Sequence, residues 1–103
     1  MARSRNELSE RLHSLVENVY YTPPEGRKIQ YPCIIYELES QRNDRADNIR
    51  YKTENRYLVT SISKQPDEAT ELRDKILDAF PYISSDRRYI SDSLVHDVMT
   101  LYW

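Results

Sequence analysis

Residues 86–103, Asp-Arg-Arg-Tyr-Ile-Ser-Asp-Ser-Leu-Val-His-Asp-Val-Met-Thr-Leu-Tyr-Trp, constrain this chain more than any other stretch. Apolar and polar side chains alternate on both sides of the polar group Ser91, Asp92 and Ser93. Alternation has the period of a strand, and two such runs around a short polar turn have the pattern of a β-hairpin. The second run carries through Tyr102 and Trp103, so this end of the chain is expected to be held in a sheet, in the core or at an interface.

The remaining pattern supplies two helices and two more strands. Ser4 followed by Glu7 has the form of a capping box, and Leu8, Leu12, Leu15, Val16 and Val19 recur at helical spacing, which predicts a helix over 5–19. Its other face carries Glu10, Arg11, Glu17 and Asn18. Thr22, Pro23, Pro24, Glu25 and Gly26 break that helix. A strand is expected over 31–39, and its apolar stretch from Cys33 to Tyr36 implies partial cover on both faces.

Residues 40–49 are polar and turn-prone and predict a long loop before a strand over 50–63, so that the two strands pair as a long antiparallel hairpin. Its tip carries Arg42, Asp44, Arg45 and Asp47. Pro66, Asp67 and Glu68 start a second helix, with the acidic pair at the positive end of its dipole. Ala69, Leu72, Ile76 and Phe80 share its apolar face, and Pro81 stops it. The resulting order, α-β-β-α-β-β, predicts an α+β fold: a two-layer sandwich with a four-stranded, mainly antiparallel sheet and two helices on one face.

A chain of 103 residues is expected to form a single domain over 1–103 that buries about 65% of its unfolded surface and needs neither metal nor disulfide to fold. Its 15 basic and 17 acidic residues nearly cancel, so no global field draws it to DNA or to an anionic membrane. One glycine, Gly26, cannot write a phosphate-cradling loop or a dinucleotide fingerprint. Nine tyrosines against one phenylalanine suit half-exposed sheets and protein contacts, because tyrosine joins an apolar ring to a polar tip. The lone Cys33, among apolar neighbours, reads as a buried thiol in a reducing compartment. No signal peptide or membrane span is read, so cytoplasmic synthesis is the default.

Catalytic readings fail on geometry and chemistry. His96 and Asp97 are adjacent on a strand and point to opposite faces, and His13 is the only other histidine, so neither a metal site nor an acid/base pair can be assembled from them. Cys33 lacks an evident base, and a thiol in an apolar strand is inert. No catalytic residue, metal or cofactor is therefore assigned. The stretch Arg42, Arg45, Arg50, Tyr51, Lys52, Arg56 and Tyr57 interleaves basic and aromatic residues as single-strand nucleic-acid binders do, but Glu39, Asp44, Asp47 and Glu54 offset it. A mixed-charge hairpin is better suited to ion pairs between subunits.

In Tyr31-Pro32-Cys33-Ile34-Ile35-Tyr36, in Arg56-Tyr57-Leu58-Val59-Thr60, and above all in Asp86-Arg87-Arg88-Tyr89 with Asp92-Ser93-Leu94-Val95-His96-Asp97, the chain resembles tail terminator, or tail completion, proteins of tailed bacteriophages. The resemblance covers most of the chain. Ser93 stands where the family pattern leads one to expect asparagine, and the junction at 66–68 is shorter and more acidic.

The resemblance implies a non-enzymatic virion protein, a homo-oligomeric ring, usually a hexamer, that caps the head-proximal end of the tail tube, stops polymerisation and supports head–tail joining. The implied partners are the tail tube protein and a head-closure or connector protein; DNA passes through the ring without specific binding, and no membrane is involved. Arg42, Asp44, Arg45, Asp47, Arg50, Tyr51 and Arg56 on the hairpin, with Tyr102 and Trp103 at the closing strand, are the candidate contacts with a neighbouring subunit or the tube. A head-closure adaptor is the alternative within the same machine. A small nucleic-acid-binding module using Arg42, Arg45, Arg50, Lys52 and Tyr51 is the alternative from another class.

Overall fold

The computed structural model describes residues 4–22, 29–46 and 49–103, with the side chains of 40–54 left aside. In chain order the elements are α1 (Arg5–His13), β1 (Asn18–Tyr21), β2 (Cys33–Ala46), β3 (Ile49–Ser63), α2 (Pro66–Ala79), β4 (Ile83–Ser91) and β5 (Leu94–Tyr102). The strands form one mixed five-stranded sheet in the order β1-β2-β3-β5-β4. Only the β1–β2 pairing is parallel; the others are antiparallel. The α+β class stands, and the four-stranded sheet is corrected to five strands.

The fifth strand comes out of the expected first helix. Ser4 caps α1 as its spacing foretold, its Oγ accepting from the Glu7 backbone N–H at 3.2 Å. The helix ends at His13, however, and not at Val19. Ser14 turns its hydroxyl back onto the Arg11 carbonyl, and Asn18-Val19-Tyr20-Tyr21 becomes β1, paired in register with Cys33-Ile34-Ile35-Tyr36. Val19 and Tyr20 are β-branched and aromatic, types that fit a pleated surface once a partner edge exists. The apolar run of β2 supplies that edge.

The expected loop over 40–49 is also corrected. β2 continues to Ala46 and β3 begins at Ile49, and between them the ladder runs from Ser40↔Arg56 to Ala46↔Ile49. The polar composition reflects a ribbon that, past Arg56, no other described element flanks, and not an absence of strand. Asp47, placed at the hairpin tip, and Pro23, Pro24, Glu25 and Gly26, read as the helix break, lie outside the described residues.

One sheet face carries the core. Direct cross-strand partners share a face, so Tyr36, Val59 and Met99 line up across β2, β3 and β5, as do Tyr57 and Leu101 one step along. Leu8 and Leu12 of α1, Leu72 and Ile76 of α2, and Phe80 and Trp103 complete one buried cluster with them. Both helices therefore lie on this face. α2 follows the sequence reading closely: Pro66 opens it, Asp67 and Glu68 occupy its first turn, and Ala69, Leu72 and Ile76 are buried.

A polar clamp sits within the same face. Asp97 is 1% exposed and receives two hydrogen bonds from Arg88, Nε to Oδ1 at 2.7 Å and a terminal nitrogen to Oδ2 at 2.9 Å. The same guanidinium donates to Thr70 Oγ1 of α2 at 3.0 Å. The planar fork of arginine matches a carboxylate in this bidentate manner, so one residue fixes the β4–β5 register and pins α2 over it. The hairpin turns through Asp92 (φ 52°) and Ser93 (φ 63°). Two consecutive positive φ values in a two-residue loop are those of a type I′ turn, whose twist matches the flanking strands.

Two stability tests follow from these features. Ser93→Gly relieves the Cβ strain at positive φ, stabilising the fold by about 1 kcal/mol and raising Tm by about 5 °C in a thermal melt; an unchanged or lower Tm contradicts the turn assignment. Arg88→Ala leaves a carboxylate buried without a counter-charge and costs on the order of 3 kcal/mol in urea unfolding. The Arg88→Ala/Asp97→Ala double variant is expected to lose less than the sum of the single variants, whereas strict additivity means the clamp is not a coupled unit.

Candidate interaction site: the projecting strand arm

β1 covers β2 only through Tyr36, and β5 covers β3 only as far as Arg56. Beyond these limits β2 and β3 continue as a two-stranded arm with no other described strand beside it. Ladder positions from Gln41↔Asn55 to Ala46↔Ile49, at about 3.4 Å each, carry it roughly 20 Å past the body of the sheet. The overall dimensions, 51 × 28 × 24 Å, show the same projection. So does a radius of gyration of 14.8 Å, where a compact chain of this length has about 13 Å.

The register sorts the charges expected at the tip. Arg42 stands opposite Glu54 and Asp44 opposite Lys52, so residue types of opposite sign occupy partnered positions within one arm. After a register shift at Asp44/Arg45, Arg45 stands opposite Arg50. Tyr51 lies on β3 beside them. Arg42, Asp44, Arg45, Arg50 and Tyr51 are thus brought together on the arm.

At the arm's base, Arg56 donates to Glu39 Oε1 at 2.8 Å. Its pKa is raised, first by the hydrogen bond to Glu39 and then by one to Tyr102. Both members of the pair are about 40% exposed; an ion pair so solvated adds little stability. It sets the side-chain geometry where the arm leaves the sheet.

The two aromatic candidates part company. Tyr102 is 43% exposed on the face without helices. Trp103 is buried in its own chain: its ring meets Phe80 edge-on at 5.7 Å, and its Nε1–H donates to the Ser4 carbonyl at 2.8 Å. Arg11 of α1 lies over both rings, 5.3 Å from Trp103 and 5.8 Å from Phe80. Trp103, expected as a contact with a neighbour, is buried in its own chain against α1 and Phe80.

The helix-free sheet face holds a second aromatic group. Tyr89 and His96 stack at 4.6 Å with an interplanar angle of 6°, and Arg87 lies 5.3 Å above the tyrosine ring. Asp97 is on the other face, held by Arg88, as strand alternation requires. Sequence reasoning missed both the stack and the clamp, although they were within reach. A two-residue turn at Asp92 and Ser93 makes Ser91 oppose Leu94, so Tyr89 opposes His96 and Arg88 opposes Asp97.

Among the described residues no group of three or more His, Cys, Asp or Glu side chains could hold a metal ion. None of the described helices is long and apolar enough to cross a membrane.

Cys33 is fully buried, and burial raises its pKa from 9.0 to about 12. The folded state thus resists ionisation that the unfolded chain permits. Its contribution is complete below pH 9 and falls as pH rises from 9 toward 12. Tyr57 is likewise raised by burial and acts in the same direction, so the measurable quantity is a difference: Cys33→Ala is expected to lose less stability than wild type over that range. Thiol reagents should label native Cys33 only as fast as the chain opens; rapid labelling would rule out the inert thiol. Compared with known proteins, the chain matches no family model and no curated protein.

Proposed function

We propose that this chain is a structural protein of a phage or phage-derived tail, forming a ring at the head-proximal end of the tail tube that ends polymerisation and supports head–tail joining. The observation that carries this reading is the arm. The body buries its own core under two helices, while β2 and β3 extend beyond it as a ribbon with no other described strand beside it. Such a ribbon is marginally stable alone in water and gains from a partner surface. A ring uses this surplus directly, because each subunit can lay its arm on the next, and a contact between two different surfaces closes when the rotation per subunit divides a full turn.

The charge pattern supports assembly over nucleic-acid capture. Arg88 and Arg56 are held by Asp97 and Glu39, and the arm's register partners Arg42 with Glu54 and Asp44 with Lys52. A net charge of -2 suits a conduit through which DNA passes without being gripped. The resemblance in residues 86–97 sets the expected ring size at six and the expected partners as tube protein and connector.

Native mass spectrometry of the full chain, alone and with tail-tube protein, tests this directly. A closed ring, formed alone or on the tube, is the expected product; a chain that stays monomeric and ignores the tube would overturn the proposal. Particles lacking this protein are expected to carry overlong tails. Tails of normal length beside filled, unjoined heads would assign it to head closure instead.

A further inference from the structure

Among the described residues, the arm leaves one edge of β2 open, and β4 is a second open edge in the same chain. Beyond Tyr36, where β1 ends, no described strand lies along β2. β4 is the last strand on the other side of the sheet, nine residues long, with every residue after Ile83 exposed. Large apolar side chains stand uncovered on both edges: Ile90 is 70% exposed on β4 and Leu38 is 43% exposed on β2.

Direction, face and hydrogen-bonding phase agree for these two edges. β5 is antiparallel to β3 and therefore runs with β2, so β4 runs against β2. Two copies set side by side with their helices on the same side thus bring β4 of one antiparallel to β2 of the other. Seating β4 just past β1, with Ser91 opposite Glu37, puts Ile90 opposite Leu38 and Tyr89 opposite Glu39, at the base of the arm.

Both residues lie on the helix-bearing face, since Ile90 partners the buried Val95, and Leu38 partners the buried Tyr57. The backbone phase also fits. The Tyr36 carbonyl accepts from Thr22 on the β1 side at 2.8 Å, and strand alternation turns the polar groups of Leu38, two residues on and the last position before the register shift at Leu38/Ser40, to the same side. In a two-residue hairpin Ser91 and Leu94 are the hydrogen-bonded closing pair, which turns the N–H and C=O of Ile90 outward.

We propose that β4 of one copy adds as an antiparallel strand to the open edge of β2 in a second copy, with Ile90 opposite Leu38. The addition covers the β2 edge at the base of the arm, where the ribbon leaves the body of the sheet. The register shift at Ser85/Arg87 and the charged run Asp86, Arg87 and Arg88 guard the rest of β4 against indiscriminate pairing; the end from Tyr89 to Ser91 remains as the docking segment. The contact joins two different edges and is therefore head-to-tail. It deepens the ring reading and rests on it only for closure.

Ile90→Pro tests the contact, because it deletes an outward N–H and leaves the β5 ladder intact. The expected result is loss of the oligomer in native mass spectrometry, with β5 amides still protected from hydrogen exchange and with Ile90→Ser retaining more association than the proline variant. A second variant carries Ile90→Cys and Leu38→Cys together. Oxidation is expected to link successive copies into a covalent ladder, whereas either single variant stops at dimers.

Both experiments are run with and without tail-tube protein. An oligomer that survives Ile90→Pro and yields no ladder overturns this contact and leaves the ring reading standing. A chain that is monomeric in both settings overturns both. Should Ile90→Pro lose β5 protection, the ladder alone decides, and its absence rejects the contact.

Discussion

The indole of Trp103 ties together parts of the chain that no sheet ladder could join. Its N–H reaches the carbonyl of Ser4, the residue that caps α1; its ring meets Phe80, which follows α2; its backbone N–H donates to Asn55 where the arm leaves the sheet. A buried indole needs a partner for its one donor, and leaving that donor unmatched costs free energy of the order of a lost hydrogen bond. The helix layer is thereby registered against the sheet at the end from which the arm departs. The arm's direction inherits this anchoring.

The sheet is unevenly finished, and that asymmetry is where function enters. One face is covered by both helices and holds the core, including the Arg88–Asp97 clamp beneath α2. The other face carries Tyr102 and the Arg87–Tyr89–His96 stack without a helix over it. Along the edges, β1 stops after four residues and no described strand covers the rest of β2, while β4 is exposed throughout most of its length. A chain with a complete core and incomplete edges has reason to associate through strands, since open backbone groups are the most direct template for another chain.

Local chemistry was legible wherever one short segment decided the outcome. Ser4 and Glu7 gave the cap, Pro66 with Asp67 and Glu68 gave the start of α2, and Ser91, Asp92 and Ser93 gave the place of the turn, which the structure narrows to Asp92 and Ser93. The opposite faces of His96 and Asp97 followed from the two-residue period of a strand. Less was legible where two segments decide together. Val19 fits a helical stripe and a strand equally well until Ile34 stands beside it. The polar residues from Ser40 to Ala46 resemble a loop until the residues from Ile49 to Arg56 partner them one by one. Trp103 looked like an exposed anchor until α1 and Phe80 closed over it.

By itself, then, the sequence determined the α+β class, the closing hairpin with its polar turn at 91–93, the amphipathic α2 and the buried Cys33, because each depends on a period or turn residue readable within a few positions. Only the tertiary structure decided that the first helix would end at His13 and yield a parallel edge strand, that β2 and β3 would run out as an arm, and that Asp97 would be held by Arg88 under α2. These outcomes depend on which backbone groups find partners across the sheet, and a partner distant in the chain leaves no mark on the local pattern.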